Sequence, residues 1–297
     1  MMLKGIYVGK PASFQMLFLL LSLLFGASLS SLIGMGIFIL VHGTYSNLMM
    51  YPDMMRWMQL ISAVGTFLFP ALTVAWLCSR DPAAYLCIKR TADIKILLLV
   101  LAGMFLMSPA IALTTLLNKQ MVLPSFMAPI ENWMQNQEAL AEQLTNTLLA
   151  GDGLLTFLSN LFVIALMAGI TEEFLFRGAL QRIIGQWTSN HHLVIWSAAI
   201  LFSAFHLQFY GFLPRMLLGA YFGYLLYWGR NIWIPVFAHF ANNAFAVIGM
   251  SDANLKENEF ITGDISNENL LPYSALAAVT LVLFFICTAQ IRKQLKQ

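Results

Sequence analysis

The sequence predicts an all-α fold, a polytopic transmembrane helix bundle of about eight spans with an amphipathic interfacial helix between spans three and four. Composition and run length predict it. Hydrophobic residues make up 59% of the 297 positions and charged residues only 10%, where a soluble chain carries about 25%. The mean hydropathy is +0.74. A chain so poor in ionisable groups cannot cover a water-facing surface, and most of it belongs in lipid. Apolar runs of about 20 residues, the length that crosses a bilayer as a helix, recur along the chain. Inside lipid each segment must satisfy its own backbone N–H and C=O groups, which excludes open strands. The net charge of +2 rests on dispersed basic residues, which form no patch for nucleic acid.

Eight runs qualify as spans: Phe14–Val41, Trp57–Cys78, Ile96–Asn118, Leu154–Gln186, Leu193–Phe209, Met216–Trp228, Ile232–Met250 and Tyr273–Ile291. Lys4 and Lys10 precede the first, as in a signal peptide, but its length exceeds the ~7–15 residues of a signal's apolar region, so it is read as a retained span. Between spans three and four, Ile130, Trp133, Met134, Ala141, Leu144 and Leu148 recur near helical spacing, with Glu138 and Glu142 between them. That pattern is an amphipathic helix over Ile130–Leu148 lying on the membrane interface, read as a connector rather than a lid. Repeats and low-complexity linkers are absent, and residues 1–297 read as a single membrane domain. Cys78, Cys87 and Cys287 form no metal-spaced or disulfide pattern.

The flanks set an orientation. Lys4 and Lys10, then Arg80, Lys89, Arg90 and Lys95 against Asp81 and Asp93, then Arg292, Lys293 and Lys296 mark three basic segments. The alternate links are acidic: Glu131, Glu138, Glu142 and Asp152 against Lys119, then Asp252, Glu257, Glu259, Asp264 and Glu268 against Lys256. Positive residues stay in the cytoplasm, so both termini are expected there, in a bacterial inner membrane.

Of fourteen acidic residues, only Glu172 and Glu173 interrupt a span. A carboxylate at mid-bilayer costs at least about 2.5–3.5 kcal/mol, so an adjacent pair persists only with partners in a protein interior, and it marks a functional site. Glu173 and Arg177 are four apart with the acid first, the better order for an ion pair. Glu172 points about 100° away, towards apolar Leu175 and Phe176, and its desolvation favours a general base. His206 and His239 lie in later spans. Glu172 is seventeen residues before the turn at Ser189 and His206 seventeen after it, about 25 Å on each side, which puts them at one depth. His239 reaches that depth if the first hairpin projects into the cytoplasm, and Asn243 lies one turn beyond on the same face. The alternative is that each His or Asn is hydrogen-bonding glue between helices. Arg215 and Arg230 read as snorkelling interface residues, and His42, His191 and His192 as solvated. The coincidence of five groups at one depth favours a site.

These residues carry a resemblance. Glu172-Glu173-x-x-x-Arg177, Phe202-x-x-x-His206 and His239-x-x-x-Asn243 are similar, in order, to the three motifs of the CPBP family. That family comprises the CAAX prenyl proteases and bacteriocin-processing enzymes, also known as Abi-type intramembrane proteases. The resemblance covers roughly residues 154–248, four of the spans, and implies that this segment is the catalytic core. It implies an intramembrane endopeptidase with a cavity open towards the cytoplasm. Glu172 and His206 would hold and deprotonate the attacking water. His239 and Asn243 would stabilise the oxyanion, and Glu173 with Arg177 would orient the site. The family is commonly labelled a metalloprotease, and Glu172, His206 and His239 are a feasible zinc set. No HExxH is present, and zinc stays open.

The expected substrate is a membrane-associated protein or peptide. Two other readings compete: a non-catalytic immunity or scaffold protein of the same fold, and a proton-coupled transporter. The second would also bury Glu and His, but matched broken helices in two repeat halves are missing.

Overall fold

The computed structural model describes residues 3–44, 46–88, 91–251, 255, 258–259 and 265–295. The link charges Lys89, Arg90, Asp252, Lys256, Glu257, Asp264 and Lys296 lie outside the described residues. Nine long helices follow one another among the described residues: α1 Ala12–His42, α2 Pro52–Cys78, α3 Ile94–Lys119, α4 Ala128–Leu149, α5 Leu154–Ile184, α6 His191–Phe205, α7 Phe212–Gly229, α8 Trp233–Ser251 and α9 Leu270–Leu295. Six of them (α1, α2, α3, α5, α8 and α9) are long and apolar enough to cross a membrane. Helices α6 and α7, with 15 and 18 residues, reach only about 22 and 27 Å at 1.5 Å per residue. With these two the bundle has the expected eight.

Local chemistry sets the ends. Pro52 starts α2 with Asp53 in its first turn, a pairing that suits the free N–H groups and positive end of a helix. The Asp93 side chain caps α3 and the Asn190 side chain caps α6. The outward faces are apolar: Leu17, Leu24, Leu40, Leu98, Val279 and Phe285 are all exposed, as lipid contact requires. Because lipid gives helices no hydrophobic drive to associate, close packing must. Where α1 crosses α2, a Cβ on Gly26 would stand 2.0 Å from the Gly65 carbonyl oxygen, so only glycine permits the crossing.

Helix α9 lies along α3, α6 pairs with α7, and α8 packs on α5 and α3. One end of the bundle gathers the start of the chain and the ends of α2, α5, α7 and α9. There Gly5 N–H donates to the Trp76 carbonyl, Gln186 bonds Gln15, Arg182 donates to the Tyr85 carbonyl and Arg292 faces the Trp228 ring. The opposite end carries α4. Trp133 packs on Phe209 with ring centroids 5.4 Å apart. Buried Arg56 of α2 ties down the α4–α5 link, donating to the Leu148 carbonyl at 2.9 Å, to Asn160 Oδ1 at 2.7 Å and to the Ala150 carbonyl. The amphipathic helix is therefore fastened over this end.

Candidate active site

Helix α5 carries the two glutamates between two π-helical segments, Leu161–Met167 and Phe174–Leu180. Such wider turns are rare and concentrate at functional positions. Gly169 lets α5 approach α8: a Cβ there would stand 3.2 Å from both Phe240 N and the Val236 carbonyl oxygen. One turn later, Glu173 Oε1 accepts a hydrogen bond of 2.8 Å from His239 Nδ1. The same oxygen pairs with Arg177 Nη1 at 2.6 Å, as the four-residue spacing predicts. Glu173 and Arg177 have 0% and 1% of their side chains exposed, so neither charge has water to fall back on. Arg177 is held further by the Gly219 carbonyl at 2.9 Å and by the faces of Phe202 and Phe222, 4.4 and 5.4 Å from its guanidinium carbon.

Helix α6 stops at Phe205, and His206 is its C-cap. The expected span ran on to Phe209; it ends early because Leu207 takes a left-handed conformation at φ 56°. Strain of that kind at a non-glycine residue persists only where the surroundings impose it. His206 Nδ1 bonds the Phe202 carbonyl at 2.9 Å. A carbonyl only accepts, so Nδ1 carries the hydrogen and Nε2 presents its lone pair. His239 likewise carries a hydrogen on Nδ1, donated to Glu173.

The two Nε2 atoms face Glu172. Its Oε2 stands 3.8 Å from His206 Nε2 and 3.9 Å from His239 Nε2, and that oxygen has no hydrogen-bond partner in the protein. Glu172 is therefore set between two histidines. The Asn243 amide donates to the Ile164 carbonyl at 3.0 Å and accepts from Asn242 Nδ2 at 3.2 Å. That network fixes its orientation and leaves one N–H for the cavity it lines.

The cavity has a volume of about 470 Å³ and is lined by Glu172, His206, His239 and Asn243. Glu173 and Arg177 stand behind its wall. Thr115 near the end of α3, Thr145 of α4 and Ala246 of α8 complete the lining. The cavity thus extends towards the α4 end of the bundle.

Sequence reasoning missed Arg215. It was read as a snorkelling residue, yet it lines the cavity and folds back onto Gln208, two residues after His206. Position in an apolar run does not show which way a long side chain turns.

Glu172, His206 and His239 are the right donors for zinc in kind. In spacing they are not: tetrahedral ligands at about 2.0–2.1 Å from a zinc ion stand about 3.3 Å apart, short of 3.8 and 3.9 Å. No group of three His, Cys, Asp or Glu among the described residues has metal-binding geometry.

Comparison with known proteins finds a likeness confined to the central segment. The family "Type II CAAX prenyl endopeptidase Rce1-like" matches residues 154–245. The central segment is Rce1-like. This is the segment that carries all three motifs, and the CPBP resemblance holds over it. The protein YpbD of Bacillus subtilis (strain 168), described as uncharacterized, is 29% identical over 89 residues, 29% of this chain and 42% of that protein. The chain thus spans less than half the length of this relative. No solved structure matches. The apolar helices mark an integral membrane protein.

Proposed function

We propose that the protein is an intramembrane endopeptidase that hydrolyses a peptide bond in a membrane-associated protein or peptide with water activated by Glu172. The observation that carries this reading is the convergence of Glu172 Oε2, His206 Nε2 and His239 Nε2 at 3.8–3.9 Å. Those separations are too long for direct hydrogen bonds and suit polar groups that share a small oxygen ligand between them.

The chemistry follows from the lone pairs. A water in the cavity donates one hydrogen to Glu172 Oε2 and the other to His206 Nε2. As its oxygen bonds to the scissile carbonyl carbon, its proton passes to Glu172. The carbonyl oxygen becomes an oxyanion facing the second N–H of Asn243 and His239, which enters the reaction with a hydrogen on Nε2 as well as on Nδ1 and keeps both throughout. Glu173 supplies the negative charge that steadies that imidazolium. Glu172 then returns the proton to the amide nitrogen as the C–N bond breaks, leaving a carboxyl and an amine. Preorganised donors of this kind contribute about 3–4 kcal/mol each to the transition state. No step of this scheme is routed through zinc.

The test compares termini of membrane-associated peptides between cells carrying the wild type and cells carrying Glu172→Gln at equal protein level. Loss of a defined set of cleaved termini is expected in the variant. An unchanged set sinks the proposal in favour of a non-catalytic protein.

A further inference from the structure

We propose that Arg215 is the anion receptor of the cavity and selects peptides that present a carboxylate, above all the free carboxylate of a chain end. The inference deepens the peptidase reading and rests on it for the fate of the bound peptide. Arg215 sits on α7 and lines the same cavity as Glu172 and His206. Its guanidinium donates through Nη1 to the Gln208 carbonyl at 3.3 Å and through Nη2 to Gln208 Oε1 at 2.9 Å. Both acceptors are neutral, and an arginine has five N–H donors in a planar fork. Among the described residues no carboxylate forms an ion pair with it. The carboxylates whose charge reaches it are Glu138 of α4 and Glu172.

A cation that lines a cavity in the membrane without an ion-paired carboxylate is costly unless something else meets it. Glu138 lies two helical turns before Thr145, hence on the face of α4 that lines the cavity. Glu138 Oε2 is buried and has no hydrogen-bond partner. The cavity thus holds a guanidinium fork bonded to neutral acceptors with donors to spare, an arrangement open to a mobile carboxylate. The volume of about 470 Å³ is that of a small-ligand site. It admits the end of a peptide more readily than a chain running through. A chain end brings a carboxylate, and a guanidinium binds one through two parallel hydrogen bonds. Because Gln208, which holds the Arg215 guanidinium, follows His206 by two residues, the anion anchor is tied to the short turn that carries the histidine beside the base. Anchoring the end there lays the preceding peptide bonds towards Glu172.

The experiment uses the full-length protein in lipid nanodiscs and three nonapeptides of one apolar sequence, labelled at the N-terminus with an uncharged fluorophore. One has a free C-terminal carboxylate, one a C-terminal amide, and one an amide preceded by glutamate. Anisotropy reads binding, and mass spectrometry reads cleavage. In the wild type the free acid is expected to bind about 10–100-fold tighter than the plain amide, the range of a hydrogen bond to a charged group. In Arg215→Gln the acid weakens to the level of the amide, while Arg215→Lys keeps part of the preference. If the glutamate amide binds as well as the acid, a carboxylate is read whatever its source; if it binds as the plain amide does, the chain end is read. Equal binding of acid and plain amide by the wild type, or binding of none of the peptides, overturns the proposal without recourse to any variant. An acid preference without cleavage keeps Arg215 as receptor and sinks the peptidase reading. Cleavage without a preference does the reverse.

Discussion

Glu173 Oε1 accepts from His239 Nδ1 at 2.8 Å and from Arg177 Nη1 at 2.6 Å, one buried oxygen serving two helices. This bond fixes the ring of His239 with Nε2 towards Glu172, and the Glu173 carboxylate is the counter-charge to the imidazolium that the proposed oxyanion step uses. Glu173→Gln retains an acceptor for Nδ1–H but removes the charge. We expect kcat to fall about 10²–10⁴-fold, the contribution of one proton-transfer partner, with KM little changed. Steady-state cleavage of a membrane peptide by the variant checks this, and a drop in affinity at constant kcat would refute it.

The same oxygen predicts a stability asymmetry. Arg177→Leu leaves Glu173 charged and fully buried without its guanidinium, with His239 as its remaining partner, and breaking a buried pair in this way costs about 3–5 kcal/mol. The double variant Glu173→Gln with Arg177→Leu removes both charges and should recover most of that loss. Unfolding titrations of the three variants in detergent, combined as a double-mutant cycle, measure the coupling. Additive losses would show that the pair does not act as a unit.

The spans were legible because lipid demands long apolar helices, and helix ends moved by at most about five residues. The Glu173–Arg177 pair was legible because it is local: four residues on one helix share a face whatever the tertiary structure. The remaining features are not local. The meeting of Glu172 with both histidines depends on π-helical turns in α5, and on α6 ending at Leu207, whose left-handed backbone no leucine signals. The roof formed by α4 depends on Arg56, which sits just before the expected start of span two and reaches across to Leu148 and Ala150. A cation at the edge of an apolar run has the same sequence pattern whether it snorkels outward or, like Arg215, turns into a cavity.

Gly169 should be the most sensitive position that touches no reacting group. A methyl there meets the α8 backbone at 3.2 Å, tighter than ordinary contact, so α8 must move by a few tenths of an ångström in Gly169→Ala and further in Gly169→Val. That motion lengthens the bond from His239 to Glu173. Overpacking of this kind costs about 1–3 kcal/mol. We expect activity to fall from wild type through alanine to valine. Equal activity in all three would mean that the α5–α8 distance does not set the site.

The last prediction turns on a spacing of about half an ångström. Zinc held by Glu172, His206 and His239 needs its ligand atoms about 3.3 Å apart, against the 3.8 and 3.9 Å found here. Each imidazole is also braced: His206 by the Phe202 carbonyl and His239 by Glu173. Drawing both towards a common ion would therefore lengthen bonds that fix their tautomers. A glutamate base working on water in a confined cavity needs no such movement. Purified protein is expected to carry zinc well below one ion per chain by elemental analysis, and cleavage is expected to survive prolonged dialysis against a chelator. Stoichiometric zinc that disappears in His206→Ala, together with activity lost to the chelator and restored by zinc, would overturn the water-only mechanism. It would also require the two imidazoles to close on Glu172 when the ion binds.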